Sequence, residues 1–232
     1  MSNKRKKYFS FMNWRCVVAT ILLLFAGFAI LSFVIGLYIY PFLSEHNPRE
    51  RGILVIEGWL SDDALEEAAK HIEAHSYGQI ILTGHFINRG RYLGEYKTTS
   101  EVSIHTLEYL GIERDRMLGI PNPYASRDRT FTSALLIKSW MEKHGIEERT
   151  IDVFSVGPHA RRSRKLFQLA FGSDYDIGVY SCPSVYYNID NWWKCSSGVR
   201  VVLDEAIAWL YIKTFFRPFP ITVYSTYRNW LP

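Results

Sequence analysis

Short, continuously apolar runs alternate along most of this chain with stretches whose apolar positions recur every three to four residues. The first run, Ile53-Leu54-Val55-Ile56, is followed by Glu57-Gly58-Trp59 and a helical pattern from about Asp63, where Asp63 and Glu66 have capping-box spacing. A second run, Gln79-Ile80-Ile81-Leu82-Thr83, enters Gly84-His85 and a longer loop. Thr98 with Glu101 then predicts a helix that stops near Gly111. Met117-Leu118-Gly119-Ile120 is a third run, halted by Pro121, and Thr130 to His144 reads as a helix with Gly145 as its stop. Ile151 to Val156 breaks at Gly157-Pro158 into a helix over about His159 to Phe171. A fifth run, Ile177-Gly178-Val179-Tyr180, precedes a last helix from about Val199 to Phe216.

Strands that are apolar throughout, each followed by a helix, belong to parallel sheets covered on both faces. The expected fold is α/β and doubly wound: a mostly parallel, five-stranded, Rossmann-like sheet with helices on both faces. Such sheets bind ligands beyond the carboxyl ends of their strands, where the strand order reverses. That rule gathers Glu57-Gly58-Trp59, Thr83-Gly84-His85 and Gly157-Pro158-His159 on one rim.

The N-terminal part reads differently. No charged residue occurs from Cys16 to Ser44, a length that spans a bilayer, and the run ends in bulky Tyr38-Ile39-Tyr40-Pro41-Phe42 rather than in a small-residue cleavage site. The expected organisation is a basic cytoplasmic segment (1–15), a transmembrane anchor in contact with the lipid bilayer (16–42), a linker (43–52), the α/β domain (53–217) and an aromatic tail (218–232). The net charge of +4 is concentrated in front of the anchor. Lys4, Arg5, Lys6, Lys7 and Arg15 all precede the first acidic residue, Glu45, which leaves 22 basic against 23 acidic residues in the remainder. The domain therefore lacks the basic excess of a nucleic-acid binder. The same asymmetry predicts a single-pass protein of the plasma (inner) membrane, with its N-terminus in the cytoplasm and its domain outside. There Cys182 and Cys195 could pair across the Tyr-, Asn- and Trp-rich loop between them, or stay as two thiols.

The turn before the fifth helical segment carries the clearest chemistry. Pro158 has no N–H to lose at a helix start, free backbone amides gather there, and the helix dipole adds to nearby Arg side chains, a combination suited to an anion. His159 is the candidate acid or base and Glu57 its candidate partner. Of the three arginines, Arg162, one turn in, is placed to reach back, whereas Arg161 and Arg164 point elsewhere. Gly58, Trp59, Thr83, Gly84, His85, Gly157, Arg129 and Thr130 complete the candidate ligand-binding set. Arg129 and Thr130 belong to the polar segment Ser126-Arg127-Asp128-Arg129-Thr130 before a helix. His71 and His75, four apart on one helix, have metal-ligand spacing but no evident third ligand, so no metal and no cofactor is expected. No Walker, dinucleotide or Gly-x-Ser-x-Gly motif is present.

In order and spacing these features resemble the YdcF, SanA and ElyC family of Rossmann-like domains, over about Gly52 to Phe216. The resemblance rests on the Gly turn after the first strand with Glu66-Glu67-Ala68-Ala69, Thr83-Gly84 after the second, Ser100-Glu101 opening a helix, the helix start at Thr130 to Ala134, and His159 with Arg162 after a strand. Two positions depart from the family pattern. Gly58-Trp59 replaces a Gly pair, and Arg129-Thr130-Phe131-Thr132-Ser133 replaces an Asn-Thr-x-Glu-Asn helix start. For anchored members the resemblance implies a role in envelope integrity and in cell-wall or lipid-carrier metabolism. A cytoplasmic relative is associated with S-adenosylmethionine, a ligand at odds with an external domain.

The expected activity is binding, with or without transformation, of a phosphate- or carboxylate-bearing envelope substrate such as a lipid-linked sugar. The alternatives are a non-catalytic ligand-binding or interaction module and, third, a nucleotide-type site.

Overall fold

The computed structural model describes residues 14–87, 92, 94–122 and 128–218. The basic cluster Lys4 to Lys7, Ser126-Arg127 and the tail from Phe219 lie outside the described residues. The chain divides into two compact units after Tyr38.

The first unit consists of most of α1 (Trp14–Leu43), a 30-residue helix long and apolar enough to cross a membrane. Its final turn, from Ile39, belongs to the second unit. There Tyr40 and Leu43 are buried with Tyr187, Trp192 and Val202. The α/β unit thus begins earlier than a boundary at Phe42 suggests, because these apolar side chains pack on the domain.

The second unit holds five parallel strands, β1 (Arg51–Ile56), β2 (Ser76–Gly84), β3 (Met117–Pro121), β4 (Thr150–Val156) and β5 (Asp176–Cys182), in the order β3-β2-β1-β4-β5. The expected α/β class is observed, with every strand pair parallel. Side chains alternate across the pleat, so each strand feeds two cores. Ile53, Val55, Ile151 and Val153 face α4 (Arg129–Lys143) and α5 (His159–Phe171). Leu54, Ile56, Ile80 and Leu82 face α2 (Asp62–Ala74) and α3 (Thr99–Tyr109). The last helix, α6 (Ser196–Thr214), joins the first of these cores through Ile212.

Local signals hold where capping chemistry is complete. The Thr98–Glu101 box forms in both directions at the start of α3. The Asp63–Glu66 box does not: α2 starts at Asp62 behind Ser61, and both aspartates lie in the first turn, where their charge complements the helix dipole. The third strand extends to Pro121, which an edge strand tolerates. The last helix begins at Ser196 rather than Val199, because extended Cys195 acts as its cap and the Val199 amide donates to the Cys195 carbonyl.

Residues 43–52 form no free linker. The Asn47 and Val179 backbones exchange hydrogen bonds, Arg49 pairs with Asp176 at 2.8 Å, and the Arg49 and Glu50 amides donate to the Asp152 carboxylate. Asp152 is fully buried within the apolar run of β4 and also accepts from the Tyr77 hydroxyl at 2.7 Å. A carboxylate there is tolerable because three donors meet it.

Candidate functional site

The reversal in strand order lies between β1 and β4, and the residues just beyond these two strands build a half-buried charge network. Glu57 follows β1 and is 4% exposed. The Ser155 hydroxyl of β4 donates to its Oε2 at 2.5 Å, and the Ser163 hydroxyl of α5 donates to its Oε1 at 2.9 Å. His159, the first residue of α5, places Nε2 3.3 Å from that same Oε1. Its Nδ1 lies 2.8 Å from Oε1 of Glu205 in α6. Arg162, one turn along α5, donates from Nε and Nη2 to the two Glu205 oxygens at 2.6 and 2.9 Å. Arg162 Nη2 is also 2.7 Å from His159 Nδ1, two donors brought together by the Glu205 oxygen to which both donate.

Burial alone would neutralise each of these groups, and their mutual pairing reverses that tendency. Desolvation works against the His159 imidazolium, but the charge of Glu57 and hydrogen bonds to Glu205 and Glu57 hold its pKa above the ordinary histidine value. Desolvation likewise opposes the Glu57 carboxylate, and His159, Ser155 and Ser163 pull its pKa below the usual range. Glu205 falls to about 2, because hydrogen bonds from Arg162 and His159 outweigh its burial. Below the raised His159 value, two carboxylates and two cations therefore sit together as a neutral quartet.

The raised His159 pKa contributes stability in full below about pH 6.5, and that contribution is lost as pH rises through the folded value. The lowered carboxylates contribute above about pH 4.5, and their share is lost as pH falls, towards about 2 for Glu205. Thermal unfolding across pH should show a plateau between these limits. His159→Gln should remove the alkaline decline; a decline that persists unchanged in that variant would contradict the assignment.

Above the quartet opens a cavity of ≈ 750 Å³, lined by Glu57, Gly58, Trp59, Thr83, Gly84, His85, Arg129, Thr130, His159 and Arg162. Ten of the eleven expected catalytic and ligand-binding residues thus meet in one space. Trp59 lies edge-on to the His159 ring at 4.9 Å and roofs it. The Thr83 hydroxyl accepts from the Gly58 amide at 3.3 Å, joining the β1 and β2 turns.

Gly157 is the exception. Its φ of +48° lets the turn reverse tightly, its amide is spent on the Cys182 carbonyl at 2.8 Å, and its Cα faces the Tyr40 and Tyr187 hydroxyls rather than the cavity. Arg162 also departs from its expected part, because two of its donor nitrogens are committed to Glu205. It fixes the quartet in place of reaching for an anion. Arg129 is different. It is exposed on the cavity wall in the first turn of α4, which holds no acidic residue, directly after the cap residue Asp128, which lines the same cavity. Arg129 thus stands at the start of α4 beside Asp128, across the cavity from the quartet.

The remaining candidates fall elsewhere. Arg161 and Arg164 both pair with Glu45, and Arg161 lies over the Phe42 ring at 4.1 Å. His71 bonds Tyr77 at 2.8 Å, and burial pushes its pKa down to about 4. Cys182 and Cys195 are not bridged: Cys182 is buried at the end of β5, and the Cys195 sulfur sits 2.9 Å from the Ser197 hydroxyl at the start of α6.

Glu205, Ser155, Ser163 and Asn122 are site residues that the sequence reading did not single out. Asn122 follows β3 and donates to the Thr132 hydroxyl at 2.5 Å, tying the strand end to the first turns of α4. A discernible signal existed for Glu205, since Asp204-Glu205 interrupts the apolar run Val201-Val202-Leu203 and Ala206-Ile207. Comparison of the chain with protein-family models, with curated proteins and with solved structures returns no match, so the site's own geometry is what bears on its function.

Proposed function

We propose that this chain is a single-pass protein of the plasma (inner) membrane whose external α/β domain binds a phosphate- or carboxylate-bearing envelope substrate, such as a lipid-linked sugar. The anchor is α1, and the basic residues before it favour a cytoplasmic N-terminus. Membership of the YdcF, SanA and ElyC family, with its link to envelope integrity, is part of the same proposal. One observation carries it. Arg129, in a first turn of α4 that holds no acidic residue, presents a cation and the positive end of the helix dipole to a cavity that also holds Asp128 and Asp204 beside the internally paired quartet.

In this reading the Arg129 guanidinium and the α4 start hold the anionic group, Trp59 and His85 contact the attached sugar, and Thr130 donates its hydroxyl. Proton transfer would run between Glu57 and His159, whose facing atoms are 3.3 Å apart. The non-catalytic reading is favoured by a separate observation: both His159 nitrogens already face carboxylates.

A titration of the detergent-solubilised chain with a short polyprenyl phosphate tests the binding claim. Arg129→Ala should weaken binding about 10- to 100-fold, the worth of a charge-assisted hydrogen bond. The uncharged polyprenol should bind poorly to both forms. Equal binding of phosphate and alcohol would sink the proposal, and displacement by a nucleoside monophosphate would favour the nucleotide reading instead.

A further inference from the structure

Helix α6 buries one side and leaves the other bare. Gly198, Val202 and Ile212 are buried, while Leu203, Ile207, Leu210 and Tyr211, spaced i, i+4, i+7 and i+8, share the far side. Leu203, Ile207 and Leu210 are 53%, 66% and 62% exposed, and Phe215 just beyond the helix is 75% exposed. Domains that live wholly in water seldom leave a continuous apolar stripe uncovered.

The position of α6 along the fold identifies what covers it. The Trp209 ring meets Phe42 edge-on at 6.0 Å, and Val202 is buried in one cluster with Tyr40 and Leu43. Phe42 lies in the last turn of α1, the 30-residue segment long and apolar enough to cross a membrane. α6 therefore packs on that turn. Cations accompany the aromatics there: Arg161 lies 4.1 Å from the Phe42 ring, and the Lys213 ammonium is 5.5 Å from Trp209. Arg200 is exposed on the same side of α6 as the stripe. Apolar side chains beside aromatics and cations are the composition of a helix lying in a membrane interface with anionic lipids.

We infer that α6 is an interfacial helix, with Leu203, Ile207, Leu210 and Tyr211 seated at the boundary between headgroups and acyl chains. Its adjoining flank, Ser197, Val201, Asp204 and Glu205, lines the cavity. The docked helix is thus both membrane contact and cavity wall. The inference rests on the proposed anchoring by α1 and is separable from it: carbonate extraction reads α1, and the following experiment reads α6.

The full chain, with Cys16, Cys182 and Cys195 replaced by Ser, receives an environment-sensitive fluorophore through Ile207→Cys or, as a reference, through Tyr109→Cys on α3, where Tyr109 is 91% exposed. Each is placed as one chain per nanodisc containing anionic lipid. Lipids with a nitroxide near the headgroup should quench the probe at residue 207 by about twofold or more, as expected for a side chain sunk to the headgroup boundary, and aqueous iodide should not reach it. The probe at residue 109 should show the reverse. Iodide access at 207 without lipid quenching would overturn the inference. So would shielding without lipid quenching that appears only with two chains per disc, or that vanishes on truncation after Pro218, since a second copy or the tail would then be the cover. A chain extracted by carbonate overturns the anchor and this docking together.

Discussion

Glu205→Ala should destabilise the domain by about 3 kcal/mol, because it strands the largely covered Arg162 guanidinium, 20% exposed, beside the His159 imidazolium, 13% exposed. For a domain of this size that corresponds to a fall of roughly 10 °C in Tm. Three of the four quartet hydrogen bonds made by His159 and Arg162 end on Glu205, and among the described residues no other carboxylate bonds Arg162. Adding Arg162→Ala to Glu205→Ala should recover part of the loss, since the orphaned charge is then gone. Thermal unfolding of the detergent-solubilised variants near pH 6 reads this directly. A loss below about 1 kcal/mol, the level of an exposed ion pair, would show that the quartet is not held as described.

Gly58→Ala should be nearly as damaging, for a steric rather than an electrostatic reason. A Cβ at Gly58 would run into the Thr83 carbonyl oxygen and come within 2.6 Å of Gly84 Cα, both backbone atoms of the adjacent strand end. Neither can move without separating β1 from β2, so the cost should reach about 3 kcal/mol, the upper part of the range for overpacking. Because the displaced turns carry Glu57 and Thr83, cavity binding should fall with it. Gly78→Ala offers the contrast: its Cβ would meet nothing nearer than 3.9 Å, so stability should change by less than about 1 kcal/mol. Similar losses at both positions, measured by denaturant unfolding, would contradict the close approach at Gly58.

Glu57, His85, Arg129 and His159 could be placed on one rim from the sequence because each directly follows a strand or opens a helix, and topology alone brings such positions together. The bounds of α5 were readable for a similar local reason: Gly157-Pro158 stops a strand and Gly172 ends the helix. What could not be read was pairing between elements far apart in sequence. Arg162 looked like a ligand arm until α6, 43 residues on, brought Glu205 against it. Gly157 looked like an anion turn because its amide appeared free, but the end of β5 uses that amide. Ser155 and Ser163 passed as filler in apolar and basic runs, yet both hydroxyls are spent on Glu57. Asp152 was the clearest unused clue, a fully buried acid in a mostly apolar strand, which implies donors waiting for it.

The central claim is that the α4 end of this cavity holds an anionic molecule. Native mass spectrometry of the gently solubilised full chain, comparing wild type with Arg129→Ala, tests it most directly. The account predicts a retained phosphate- or carboxylate-bearing molecule on the wild type that is lost from Arg129→Ala while both proteins stay folded. An uncharged ligand, or the same anion retained equally by both, would contradict it.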